Sequence, residues 1–204
     1  PGAASPPSGA TAANTGHATR QLNGATINGT HAPSVRAAGG GCDTQLLAPG
    51  ASCGISILFS NAVRGSYSAA LTLRDIAGTP HVVALTARAT AAMLSLGPNP
   101  LDFGYANGGT TGHGLVTLTN VGDAPYHFGG ATASGDFGVA QNTCAAAVAP
   151  AGTCSVSIDF TPTAPGARSG GLTIAGDDVG SPDTADLSGV GVMPVVQLSA
   201  TALS

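Results

Sequence analysis

Two stretches of the chain follow one local plan: residues 42–59, CDTQLLAPGASCGISILF, and residues 144–160, CAAAVAPAGTCSVSIDF. Each holds two cysteines with a Pro and a Gly between them, then a run in which apolar and polar residues alternate. The Pro and Gly turn the chain back on itself, and alternation with period two marks a strand with one buried and one wet face. A strand, a turn and a returning strand set the two sulfurs side by side. Cys42 is therefore expected to bridge Cys53, and Cys144 to bridge Cys154, with free buried thiols or a metal site as the rival readings. Closing a loop of this size stabilises by roughly 2 to 3 kcal/mol in the chain-entropy model. Neither pair is CxxC, and His17, His31, His81, His113 and His127 do not recur in register between the copies. The pattern thus gives no repeated metal-ligand set, and no metal or other cofactor is expected.

The twin stretches belong to a longer repeat. An offset of 101 carries Cys53 onto Cys154, Ile57 onto Ile158, Phe59 onto Phe160 and Leu71 onto Leu172. One inserted residue near Asp177 makes it 102, which carries Leu85 onto Leu187 and Leu101 onto Leu203. The stretch NTGHATRQLNGAT (14–26) lines up with NVGDAPYHFGGAT (120–132), but nothing before residue 14 reproduces LDFG or GLVTLTN. The first copy therefore reads as incomplete at its opening strand. These boundaries give residues 1–13 as a linker or degraded first strand, 14–91 as the first copy, 92–193 as the second, and 194–204 as the start of a third. The chain reads as an excerpt of a longer array.

Composition narrows the class. Apolar residues make up 43% of the 204, which is enough for a core in each copy, yet aromatics are 4% and Trp is absent. All ten acidic residues are Asp and all six basic ones are Arg. The staple residues of solvated helices are missing, while Gly, Pro, Ser, Thr and Asp suit turns and short strands. Strands every 8 to 12 residues without a helical pattern predict an all-β chain of two tandem immunoglobulin-like sandwiches of about seven strands, the first incomplete. The arginines stand singly in a chain of net charge -4, so no basic stripe is available to follow a nucleic-acid backbone. No apolar run is long enough to span a bilayer as a helix.

With these motifs assembled, LDFGYANGGTTGHGLVTLTNVGDAPYHF, GDFGVAQNTC, AGTCSVSIDFTPTAPGARSGGLTIAGDD and LSGVGV resemble the repeats of bacterial choice-of-anchor D domain proteins. Those repeats are relatives of the abnormal-spindle and hydin (ASH) type of immunoglobulin-like domain, itself similar to the major sperm protein fold. The resemblance covers residues 94–192 closely and 14–91 weakly. It implies a seven-stranded sandwich, tandem copies, export from a bacterium and a membrane or wall anchor that varies between members. It supplies no catalytic residues. The first copy departs from it in lacking LDFG and in reading SNAVRG where the second reads TPTAPG.

Motifs of active sites are not found: the sequence has no G-x-S-x-G, no P-loop and no H-E-x-x-H. His113 and His127 read as surface residues of strands. Asp177, Asp178 and Asp183 form the one acidic cluster, which reads as a solvated turn, with Ca²⁺ ligation as the alternative. Tyr67, Tyr105 and Tyr126 are too scattered for a sugar-binding platform, and Asn28 opens a single N-G-T sequon. The expectation is a non-catalytic spacer or adhesion segment of an exported bacterial surface protein. Its partners would be neighbouring repeats and a surface protein or glycan. The alternative is an accessory glycan- or protein-binding module of a secreted hydrolase. An unpaired edge on the first copy should make residues 1–91, taken alone, associate by strand addition; a monomer on a sizing column would count against this.

Overall fold

The structure is a computed structural model that describes residues 8–40, 42–61, 63–144 and 146–194. Of the segments expected to lie outside the two copies, 1–7 and 195–204 fall outside the described residues. The chain divides into two compact units, 1–90 and 91–204. Both are immunoglobulin-like β-sandwiches.

The second unit is built from β8 (Leu94–Gly97), β9 (Leu101–Asn107), β10 (Gly112–Asn120), β11 (Phe128–Ala133), β12 (Phe137–Asn142), β13 (Thr153–Phe160), β14 (Gly166–Gly176) and β15 (Asp183–Val192). One sheet has the order β12-β13-β10-β8 and the other β11-β14-β15-β9. The count exceeds the expected seven because the opening strand is split: GPNP at 97–100 carries it from β8, antiparallel to β10, to β9, parallel to β15. A proline cannot donate to a ladder, so such a run suits a crossing between sheets better than a continuous strand. Along β13, Cys154, Val156, Ile158 and Phe160 point inward and are buried. They meet Leu172 and Ile174 of β14 and Ala185 and Leu187 of β15 in one apolar core. With few aromatics available, Phe160 stacks on Phe137 at 4.8 Å and meets Phe103 at 5.6 Å, filling the end of the sandwich. Glycine makes room for this: a Cβ at Gly114 would lie 2.8 Å from Phe103 and 2.9 Å from Leu101, both of β9.

The first unit contains β1 (Ser8–Ala13), β2 (Arg20–Asn28), β3 (Val35–Gly40), β4 (Leu46–Leu47), β5 (Ser52–Phe59), β6 (Gly65–Asp75) and β7 (Pro80–Ala89). Its sheets run β1-β5-β3 and β4-β2-β6-β7. The opening segment, read from sequence as a linker or a degraded first strand, holds a short strand. In residues 8–13, β1 pairs antiparallel with β5, Ala12 opposite Cys53, just as Leu118 of β10 lies opposite Cys154. SGATAA thus takes the place of GLVTLT (114–119), with Ala10 and Ala12 where the second unit has Val116 and Leu118. Alanines carry too little apolar contrast for the alternation to show in the sequence. What the first unit does lack, among the described residues, is a counterpart of β8 and β9.

One exchange between the copies is chemical rather than topological. In the second unit Tyr126 is fully buried, its ring lies where any side chain at Gly176 would have to go, and its hydroxyl donates to the Ala175 carbonyl at 3.3 Å. The positions that correspond by strand register are Arg20 and Asp75. There Arg20 Nη1 lies 2.6 Å from Asp75 Oδ2, and Asp75 also accepts the Thr79 N–H at 2.9 Å. An aromatic ring over glycine has been replaced by an ion pair, and the buried Asp75 is tolerated because its oxygens are partnered. The Thr79 amide above all, with Arg20, holds the Asp75 carboxyl below its ordinary value against the opposing effect of burial.

Candidate functional site

The cysteines lie as close as a bridge requires. Cys42 and Cys53 are disulfide-bonded with Cα atoms 5.3 Å apart, and Cys144 and Cys154 with Cα atoms 5.2 Å apart. Each bridge closes a loop that a buried asparagine then ties down. Asn120 Nδ2 donates to the Ala124 carbonyl at 2.8 Å and to the Val148 carbonyl at 2.9 Å, while its Oδ1 accepts the Gly122 N–H at 3.0 Å. Asn14 repeats this, donating to Ala18 at 2.9 Å and Leu47 at 2.8 Å and accepting from Gly16 at 3.0 Å. Val148 and Leu47 lie inside the two disulfide loops. The N-x-G triplets at 14–16 and 120–122 were the sequence signal for this device, but a triplet does not disclose that its amide reaches 28 or 33 residues along the chain.

The acidic cluster is divided rather than convergent. Asp177 accepts the His127 N–H at 2.7 Å and lies 2.6 Å from His127 Nδ1. Burial alone would raise its carboxyl, but these bonds to His127 win and lower it. Asp178 is buried and accepts the Gly180 N–H at 3.0 Å, and Asp178 Oδ1 and Asp183 Oδ2 are buried without a hydrogen-bond partner. Burial, reinforced by Asp178, pushes the Asp183 carboxyl up to about 6. A proton on Asp183 supplies the donor that the pair otherwise lacks. Burial and the same aspartates, Asp178 first, push the Tyr126 phenol up to about 12. Among the described residues no group of three or more His, Cys or Asp side chains is placed to hold a metal ion.

Elsewhere the polar groups serve local structure. Asp136, nearly buried, receives Arg168 Nε at 2.5 Å and the Thr163 N–H and hydroxyl at 3.1 and 2.9 Å. The Arg168 hydrogen bond, with those from Thr163, draws its carboxyl down to about 2. His113 Nδ1 pairs with Asp159 across β10 and β13 at 2.7 Å on an open face that also carries Ser157. No hydrogen bond links Ser157 to His113 among the described residues, so the three do not form a triad geometry. The tyrosines are apart: Tyr67 packs on His31 and Phe59 at 5.0 and 5.1 Å, Tyr105 is 82% exposed, and Tyr126 is in the core. Asn28 closes β2, its amide 3.2 Å from the Thr26 hydroxyl.

Two opposed carboxyl shifts set a pH profile. Asp183 titrates higher folded than unfolded, so the second unit gains stability as pH falls from 7 through about 6 toward the ordinary Asp value. Asp136 titrates lower folded than unfolded, so its contribution is lost as pH falls below the ordinary value toward about 2. The unfolding midpoint of residues 91–204 should therefore rise on acidification from neutral pH, peak at about pH 4 to 5, and fall below. Calorimetry across pH checks this, and Asp183→Asn should remove the rise while leaving the acid limb.

An open apolar groove lies in the first unit. Between β1 and β7 runs a groove of about 480 Å³ whose walls include Ala10, Ile57, Phe59, Ala69, Val83 and Leu85.

Residues 92–190 match the HYDIN/CFA65/VesB-like Ig-like domain family. No curated protein sequence matches the chain. Among solved structures, a protein of unknown function from Porphyromonas gingivalis W83 is 15% identical with a TM-score of 0.44, covering 87% of this chain and 87% of that one. The ASH/PapD-like domain 7 of human CEP192 is 15% identical with a TM-score of 0.40, covering 52% of this chain and 89% of its own. The secreted serine protease VesC from Vibrio cholerae is 12% identical with a TM-score of 0.41, covering 85% of this chain and 46% of its own.

Proposed function

We propose that this chain is a non-catalytic structural segment, a spacer or adhesion stalk, of an exported bacterial surface protein. The observation that carries this reading is the repetition of purely structural devices. Each unit has a local disulfide and a buried asparagine tying the disulfide loop to the next turn. Disulfides persist in oxidising compartments, which supports export. Units that fold around their own cores and repeat along a chain suit the task of holding something at a distance, with exposed edges and loops left for contacts. The choice-of-anchor D resemblance of 94–192 belongs to the same reading.

The experiment is to sequence the coding DNA on both sides of this segment and to label intact cells with an antibody to it. A leader, further copies and an anchor, with surface labelling, support the stalk. An adjoining catalytic domain together with reproducible signals on a glycan array would replace it with the accessory module of a secreted hydrolase.

A further inference from the structure

The turn between β14 and β15 differs in charge from its counterpart in the first unit. There Asp75, 2% exposed, is flanked by two side chains able to carry positive charge, Arg20 Nη1 at 2.6 Å and His81 Nε2 at 3.9 Å. Strand register places Tyr126 where Arg20 is. It places Asp183 where His81 is, since His81 pairs with Leu73 as Asp183 pairs with Ile174. The second unit has thus exchanged both cationic groups for a phenol and a carboxylate. Asp178 joins them in a turn whose first-unit counterpart, IAGT at 76–79, has no acid.

Asp178 and Asp183 are not the solvated acids that the sequence of this turn suggests. Asp178 is 9% exposed, and its Oδ1 is buried without a hydrogen-bond partner, as is Oδ2 of Asp183. Both carboxyls border Gly180, where a Cβ would lie 3.3 Å from Asp178 Oδ2 and 3.3 Å from Asp183 Oδ1. The Gly180 N–H donates to Asp178 Oδ2 at 3.0 Å but carries no charge. Among the described residues no Arg or His side chain pairs with either carboxylate. Where the pair holds no proton, two carboxylates lose hydration side by side with no counter-charge, which is costly. A buried polar atom left in this way calls for a water or an ion. Val179 and Gly180 are exposed, so a small ion has a path in from solvent.

We propose that Asp178 and Asp183 bind a Ca²⁺ ion, which serves in the second unit as the counter-charge that Arg20 supplies in the first. All-oxygen ligands suit a hard cation. Ca²⁺ accepts backbone carbonyls and water beside carboxylates in flexible geometry, whereas Mg²⁺ demands a near-ideal octahedron. Asp177 is engaged by His127, so the protein offers two carboxylates, and turn carbonyls and water complete the shell. So few charged ligands give a weak site, with a Kd of about 10⁻⁴ to 10⁻³ M, the range of extracellular modules. The inference is independent of the spacer reading, since the carboxylate pair is present whatever the segment serves.

The test uses the 204-residue protein at neutral pH, with Ca²⁺ alone as ligand and Tb³⁺ as its luminescent substitute. The chain has no Trp, and the Tyr126 ring lies close enough to Asp178 and Asp183 to feel their charge. Excitation of tyrosine should therefore sensitise bound Tb³⁺, and Ca²⁺ should displace it. About 10 mM Ca²⁺ should shift the unfolding equilibrium of the second unit about tenfold toward the folded state, raising its midpoint by about 5 °C. Asp178→Asn and Asp183→Asn should each remove that rise, while Asp177→Asn should leave it. The asparagines keep the shape and relieve the like charge, so both variants should fold without calcium. The Tb³⁺ titration leaves the protein unaltered, so a folding defect in a variant does not decide the outcome. Absence of luminescence that Ca²⁺ displaces, up to about 10 mM, overturns the proposal, as does an equal rise in the Asp178→Asn protein. An equal rise with Mg²⁺ overturns it too, by making the effect one of general charge screening.

Discussion

Asn120→Ala should lower the unfolding midpoint of the second unit by roughly 10 to 20 °C, from a loss of about 2 to 4 kcal/mol in a domain of this size. The residue is 0% exposed. Alanine removes few contacts, so the loss comes from the polar groups left behind: the Ala124 carbonyl and the Gly122 N–H lose the Asn120 amide, and the Val148 carbonyl keeps only the Tyr126 N–H. Buried backbone groups without partners cost far more than the hydrogen bonds that satisfied them contribute. Asn120→Asp separates this from packing. The aspartate has nearly the same shape but turns a donor toward two carbonyls into an acceptor, so it should cost at least as much as alanine at neutral pH. A wild-type midpoint for Asn120→Asp by calorimetry would show that the amide is not a staple.

The second large effect is the loss of the Cys144–Cys154 bridge. Cys144→Ala with Cys154→Ala should destabilise the second unit by about 2 to 3 kcal/mol, the chain-entropy value for a short loop, read as a shift of the urea midpoint at unchanged slope. Cys154 heads the inward row of β13, and Cys144 follows Asn142, whose Oδ1 accepts the Cys144 N–H at 3.0 Å. The loop between them is also held by the Asn120 amide on Val148 and by the backbone pairing of Val148 with Tyr126. Because bridge and staple constrain one loop, combining the Asn120 and cysteine substitutions should cost less than the sum of the two. Strict additivity in the double-mutant cycle would mean that the two act on separate parts of the fold. Four free thiols in the denatured, unreduced protein would remove the bridges from the account altogether.

How much of this was legible without coordinates depends on whether the information was local. Alternation in CSVSIDF and GGLTIAG disclosed strands and their buried faces, because side-chain direction in a strand depends only on the parity of the residue. The 101- and 102-residue offsets disclosed two copies of one plan. The spacing of the cysteines, with Pro and Gly between them, specified a chain reversal that needs no distant partner. Where side chains were too small to carry contrast, as in SGATAA, the sequence left a linker and a degraded strand as alternatives.

The tertiary structure decided what pairs across distance. Alternation names a face but not a neighbour, so nothing in LDFGYAN announced that β9 would cross sheets and lie parallel to β15. The same limit hid the Arg20–Asp75 pair that replaces Tyr126 over Gly176, since its two members are 55 residues apart and neither is unusual alone. It also hid the division of the acidic turn, where Asp177 goes to His127 while Asp178 and Asp183 are left to each other. The sequence by itself determined the all-β class, the repeat and the buried face of the strands whose apolar residues alternate, because these rest on spacing along the chain. The Arg20–Asp75 pair and the parallel place of β9 were decided only by the fold, because each joins strands that lie far apart along the chain.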